Sequence, residues 1–335
     1  MVSLNSDNHN NTGSQSPIAD DPSLASTITL AHLSDPHISS MNAITSRDLL
    51  GKRLFGYLRW KLHRGSRHGD GVLSALHTDL AETKPDHIAV TGDLTHLSLS
   101  AEFKKARQWL QSLGSPSQVT VIPGNHDAYV NTDWYKTMAH WTEYMLSDTP
   151  RDDDHNIEDM DRIFPCVRIR GHVAIIGVCT AQPSAPHLAV GRIGAIQLQR
   201  LENILSQTAQ QKYFRVVLIH HPPASGTVSW RKRLTDAPAL QSLIARFGAE
   251  LILHGHAHRA HQSYLKTPSG SVPVMGVPSI TALDRPLERR ARYYIYHISP
   301  GVEDWTVRLE MRMYAPDENR FIRERDQESW ISSKS

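Results

Sequence analysis

The sequence predicts an α/β fold, built as one domain with two sheets. Apolar β-type runs alternate with helical patterns through the first three quarters of the chain, which is the signature of an α/β sheet core. The last third drops the helices and keeps the strands, so a second sheet system closes the chain. No linker separates the two parts, and 335 residues with 39% hydrophobic content suffice for a sizeable core.

Residues 1–26, rich in Ser, Asn, Asp and Pro without periodicity, read as a disordered leader. They have neither a basic start nor an apolar centre, so they do not read as a secretory signal. A first strand is expected at 27–33. Further strands are expected at 86–91, 118–122, 165–170, 173–178, 215–219 and 250–253, with helices at 69–82, 99–113, 194–208 and 236–246. Strands at 272–276, 292–298 and 304–313 follow. In the last of these Trp305, Val307, Leu309, Met311 and Met313 alternate with Thr306, Arg308, Glu310 and Arg312, the period of a half-buried strand. The expected domain is 27–315, and 316–335 reads as a polar, loose tail. No internal repeat is present.

Charge excludes little. Lys+Arg 36 against Asp+Glu 34 gives +2, which offers no global argument for nucleic acid. Cys166 and Cys179 cannot make a disulfide framework, so a cytoplasmic setting is expected. No apolar run approaches the ~20 residues that cross a bilayer.

Two local features depart from the average. Between Leu49 and Gly69 lie Lys52, Arg53, Arg59, Lys61, Arg64 and Arg67 and no acid, with Leu50, Leu54, Phe55, Leu58 and Leu62 at helical spacing. One reading of 49–67 is a basic amphipathic insertion that caps the site or meets an anionic membrane surface. The other is a helix packed on the sheet with a solvated basic face. Trp230-Arg231-Lys232-Arg233, just after His-His-Pro-Pro, reads either as further cations on the same rim or as an exposed loop. The second feature, Asp148–Asp161, carries seven acids and reads as a solvated loop, since it lacks the spacing and glycine of a calcium loop.

Most of the chemistry sits in five short motifs, each directly after an expected strand. They are Asp35-Pro36-His37, Gly92-Asp93, Gly124-Asn125-His126-Asp127, His220-His221-Pro222-Pro223 and His254-Gly255-His256-Ala257-His258. Loops beyond the carboxyl ends of strands build sites in open α/β sheets, so the five converge. Carboxylate and carbonyl oxygens mixed with imidazoles suit Mn, Fe or Zn rather than a thiolate site. Asp35 with His37, and His256 with His258, are alternate residues that point the same way. Asp93 is a natural bridge between two ions, and His126 a candidate acid. Either His220 or His221 is the ligand on this evidence.

Taken together these motifs resemble the calcineurin-like metallophosphoesterase superfamily, over roughly residues 27–300. The resemblance implies a four-layer α/β/β/α sandwich with two central mixed sheets and a dinuclear metal centre. On that pattern one ion takes Asp35, His37 and His258, and the other takes Asn125, His220 and His256. Asp93 bridges them, and His126 resembles the family's catalytic histidine. The family pattern favours His220 over His221. His254, His32 and His96 are left to orienting or packing roles. Among subfamilies, Gly-Asn-His-Asp with His-His-Pro-Pro most resembles bacterial class III cyclic-nucleotide and glycerophosphodiester phosphodiesterases. A phosphodiesterase acting through a metal-bridging hydroxide is therefore expected. Its substrate would be phosphorylated, a small molecule or a lipid, with no specific nucleic-acid partner. The alternative is a membrane-peripheral phosphatase or pyrophosphatase acting on lipid head groups.

Overall fold

A computed structural model of the chain describes residues 26–40, 44–45, 48–49, 51–64, 69–149, 160–283, 286–301, 304–324 and 329–333. The expected leader and most of the acid-rich loop lie outside the described residues. The first half runs β1 (Ile28–Leu33), α1 (Lys52–Arg64), α2 (Gly69–Thr83), β2 (His87–Val90), α3 (Ser100–Leu113), β3 (Val119–Val121), α4 (Thr142–Met145), α5 (Met160–Ile163), β4 (Cys166–Arg170) and β5 (Val173–Val178). Then come α6 (Ala195–Gln210), β6 (Phe214–Ile219), α7 (Ala237–Phe247), β7 (Leu251–His254), β8 (His261–Thr267), β9 (Gly270–Gly276), β10 (Arg292–Pro300), β11 (Trp305–Ala315), β12 (Arg320–Arg323) and β13 (Ser329–Ser333).

The strands form two mixed sheets, in the orders β12-β11-β10-β1-β2-β3 and β4-β5-β6-β7-β9-β8, with β13 pairing β11. Strand periodicity explains why the sheets stack. Val173 and Ile175 of β5, Val216 and Leu218 of β6, and Leu251 and Leu253 of β7 face the core shared with the first sheet. The intervening Ile176, Val178, Val217, Ile219 and Ile252 face Leu201 and Leu205 of α6 and Leu240 and Ile244 of α7. Val72 and Leu76 of α2 and Phe103, Ala106 and Leu110 of α3 cover the first sheet. The result is the expected four-layer α/β/β/α sandwich, each sheet buried on both faces, which is why its parallel strands read as continuous apolar runs.

Three features depart from the sequence reading. The tail is not loose throughout: β12 and β13 both pair antiparallel with β11. Only Phe321 marks β12 as buried, packed on the rings of Tyr293 and Tyr314 at 5.5 Å each, and its polar neighbours hide the strand. Strand β8, which pairs β9, was not expected, because His261–Thr267 buries only Leu265 fully. Third, α1 departs from the reading of a packed helix with a solvated basic face. Its cations Lys52 and Arg53 turn inward onto backbone carbonyls, whereas Leu54, Phe55 and Leu58 face solvent.

Candidate metal centre

Strands β1, β2 and β3 run parallel, as do β5, β6, β7 and β9, and the five motifs follow their carboxyl ends. Backbone hydrogen bonds fasten the first two loops side by side. The Asp35 N–H donates to Gly92 O at 3.0 Å, His37 N–H to Asp93 O at 3.1 Å, and Ile38 N–H to Leu94 O at 2.7 Å. Across the gap between sheets, His256 N–H donates to Asp35 Oδ2 at 3.1 Å. His126 N–H donates to Asp93 Oδ1 at 2.7 Å.

The backbone is strained where the site lies. Among the described residues, ten non-glycine positions have positive φ, and five of them are Asp35, His37, Asp93, His256 and His258. Such conformations cost about 1–3 kcal/mol each and persist where surrounding structure imposes them, often at functional sites. Glycines permit the close approaches. A Cβ on Gly124 would overlap the Asp93 carboxylate, and one on Gly255 would overlap Ser34 Oγ and Asp35 Oδ2.

Among the described residues the donor atoms gather in three overlapping groups, of which His37, His96 and His126 form one and the other two share Asp93. One oxygen or nitrogen from each of Asp35, His37, Asp93 and His258 lies within 4.8 Å of the others, and the same holds for Asp93, His220 and His256. Asn125 Oδ1 sits 3.2 Å from His220 Nε2. The structure thus brings together all seven residues expected as ligands.

Tautomers decide what the groups can hold. His220 Nδ1 lies 2.6 Å from Thr91 O, His37 Nδ1 3.3 Å from Thr95 O, and His256 Nε2 2.9 Å from Lys232 O. A carbonyl only accepts, so each of these nitrogens carries the proton. When a ring is neutral, its other nitrogen presents a lone pair. His220 Nε2 faces Asn125 Oδ1 at 3.2 Å and Asp93 Oδ2 at 3.4 Å. Buried Asp35 Oδ1 makes no hydrogen bond, with His258 Nε2 at 3.1 Å. With a proton, His220 Nε2 donates to the Asn125 and Asp93 oxygens; without one, its lone pair joins theirs around a space that a cation fills. The field favours positive charge there in either case. Burial works against a charged ring at His220, yet the Asp93 carboxylate prevails and raises it to about 9. Burial would likewise raise Asp93, but His220, then His126 and His37, hold it well below the usual carboxylate range. The donor set fits hard or borderline divalent ions.

His221 is in none of these groups, though its ring centroid lies 4.3 Å from that of His256 and 5.0 Å from that of His220. Its Nδ1 is 2.7 Å from Thr180 Oγ1, and its ring lies edge-on to that of His220. His32 and His254 are buried behind the site, bonded to Thr91 Oγ1 and Gly255 O. His126 Nδ1 donates to His96 O at 2.7 Å, leaving Nε2 as its working end. Its ring is stacked between His96 and Tyr129, each at 5.4 Å.

Several supporting residues escaped the sequence reading. Asp127 accepts from Gly124 N–H (2.9 Å), Leu94 N–H (3.2 Å), Thr95 N–H (2.8 Å) and Thr95 Oγ1 (3.0 Å), tying the second loop to the third. Ser98 Oγ meets the carbonyls of His126 and Asp127 and accepts from Tyr129 N–H. Glu102, in the first turn of α3, accepts from the N–H groups of His96, Leu97 and Leu99.

A four-layer sandwich whose strand-end loops converge on such a donor set is the architecture of a dimetal phosphoesterase. The chain belongs to the calcineurin-like phosphoesterase family, whose pattern matches residues 28–260. It is similar to a probable cyclic nucleotide phosphodiesterase of Synechococcus sp., 26% identical over 190 residues, covering 56% of this chain and 63% of that one. It is also similar to a probable glycerophosphodiester phosphodiesterase, GpdQ, of Arcobacter nitrofigilis, 27% identical over 201 residues, covering 55% and 60%. The matches thus span about three fifths of those relatives. A crystal structure of a dimetal phosphatase from Danio rerio shares the fold, with a TM-score of 0.55 at 12% identity over 92% of this chain and 99% of that one. The membrane-peripheral phosphatase or pyrophosphatase reading draws no support from these relatives.

Proposed function

We propose that the chain is a metal-dependent phosphodiesterase acting on a phosphodiester of the cyclic-nucleotide or glycerophosphodiester type. The single observation that carries the metal half is geometric: donor atoms of Asp35, His37, Asp93 and His258, and of Asp93, His220 and His256, lie within 4.8 Å of one another. Asp35, His37, Asp93 and His258 would hold one ion, and Asp93, Asn125, His220 and His256 would hold the second. Mn, Fe and Zn all suit these donors. Residues 27–315 act as one domain, with β12 and β13 extending its first sheet.

Bound divalent ions supply positive charge to phosphoryl oxygens and acidify water near neutral pH. The chain's own residues do the rest. The carbonyls of Thr91, Thr95 and Lys232 fix the rings of His220, His37 and His256, so the donors are preorganised. His126, when its ring is protonated at both nitrogens, would deliver the Nε2 proton to the leaving oxygen and be left neutral, its ring held by the His96 carbonyl and two stacked neighbours. Asp127 and Ser98 keep that ring in register with Asp93. The relatives' printed names supply the diester preference. The test is hydrolysis of a bis-aryl phosphodiester against the matching monoester by Mn-loaded protein. A diester preference is expected, and a monoester preference would replace the reading with a phosphatase.

A further inference from the structure

The first two turns of α1, residues 52–58, are docked with cations inward and apolar side chains outward. A surface helix ordinarily turns its apolar stripe to the core and its charges to water. Here Lys52 Nζ bonds Ser184 O and Oγ at 3.1 and 2.9 Å and lies over the Tyr129 ring at 4.5 Å. Arg53 bonds Leu97 O at 2.9 Å and Ser98 O at 2.6 Å. Gly56 is pressed so close that a Cβ would overlap Leu97 Cδ2 and crowd the Tyr129 hydroxyl. The outward side carries Leu54, Phe55 and Leu58, exposed by 41%, 56% and 47%. These positions, with exposed Lys61, share one face by their three- and four-residue spacing.

A second apolar group flanks the same loop. Lys52 also reaches Leu188 O, and Phe55 touches the His187 ring at 5.8 Å. From the other side Ala189 N–H donates to Arg231 O and Gly191 N–H to Arg233 O. Trp230, 62% exposed, starts that turn with the guanidinium of Arg231 5.4 Å from its ring. The turn reaches the metal centre through Lys232 O and His256, and α1 reaches it through Tyr129 and His126. Both groups therefore stand at the rim of one site. Aliphatic and aromatic side chains bordered by cations, with no acid between Leu49 and Gly69, match the interfacial zone of a negatively charged bilayer in both polarity and charge.

We propose that the outward face of α1, with the Trp230 turn, docks on an anionic phospholipid leaflet and brings the metal centre to its surface. This inference does not rest on the phosphodiesterase reading, and circular dichroism reports the fold of each variant whether or not the diester is turned over. No helix among the described residues is long and apolar enough to cross a membrane, so the contact is peripheral. The test is co-sedimentation of the full chain with phosphatidylcholine vesicles, with and without phosphatidylglycerol, comparing wild type with the triple variant Leu54→Ser, Phe55→Ser, Leu58→Ser. Turnover of a water-soluble bis-aryl phosphodiester reports that the variant is folded. Light scattering reports its oligomeric state. We expect wild type to sediment with the phosphatidylglycerol vesicles only, and the triple variant to lose about tenfold or more in partitioning with turnover of the soluble substrate kept. Lys61→Glu should weaken the same binding. Wild type that stays in the supernatant overturns the proposal, as does a triple variant that binds equally well. A dimer that becomes a monomer on substitution, with vesicle binding unmoved, assigns the face to a second copy instead.

Discussion

Asp93→Asn is the substitution that most directly probes the bridge. Asn keeps the size and one oxygen but removes the negative charge shared by two of the donor groups. The field at His220, to which Asp35 and the Thr91 carbonyl also contribute, sets the scale of that charge. Burial alone would lower His220, yet the ring rises from 6.5 to about 9, chiefly because the Asp93 carboxylate stands 3.4 Å from Nε2. A rise of that size corresponds to about 3 kcal/mol for one positive charge at that nitrogen. A divalent ion in the same place feels at least as much. Losing the carboxylate should therefore weaken metal binding by about a hundredfold or more, since about 1.4 kcal/mol is tenfold. The assay is calorimetric titration of chelator-stripped protein with Mn, paired with diesterase activity at limiting metal. Wild-type affinity in the variant would refute the assignment of Asp93 as the shared ligand.

Three further outcomes follow from the same geometry. Gly255→Ala should abolish metal binding while leaving the fold intact by circular dichroism, because its Cβ would strike Asp35 and Ser34; a variant that still binds metal would contradict the packing. Glu250→Gln should cost about 3 kcal/mol in denaturant unfolding, because it leaves buried Arg215, bonded at 2.6 and 2.9 Å, without its countercharge; a loss under about 1 kcal/mol would show the pair to be dispensable. Burial holds His254 down to about 4 against an ordinary 6.5, with His32 and His87 displaced the same way. The unfolded chain then binds more protons below pH 6.5, so stability is present above that pH and is lost as pH falls toward 4, by about 3 kcal/mol for His254 alone. In metal-free protein His220 adds a loss of opposite sign as pH rises from 6.5 through 9. Thermal melts across pH should show both limbs in stripped protein and only the acid limb when metal-loaded.

Much of this site is visible in the sequence because its donors are polar residues that interrupt apolar strands at their ends. Asp35, Asp93, Asn125, His220 and His256 each stand directly beyond such a run. The residues that hold them are another matter. Thr91, Thr95, His96 and Lys232 act through backbone carbonyls, which no side-chain pattern reports. Asp127 and Ser98 organise the loops through contacts spanning some thirty positions, so only the folded chain reveals them. Helix α1 was legible as a helix, within three residues at either end. Its orientation was not, because composition cannot say which face of an amphipathic helix meets the body. Strands β8 and β12 were missed for lack of apolar residues to set a period.

The central claim is a centre that needs two ions to cleave a phosphodiester. It is tested most directly by adding Mn stepwise to stripped protein while following hydrolysis of a bis-aryl phosphodiester and counting bound metal. Activity that is absent at first and reaches its plateau at two bound ions per chain is the predicted result. Full activity without metal, or a plateau at one ion, would contradict it.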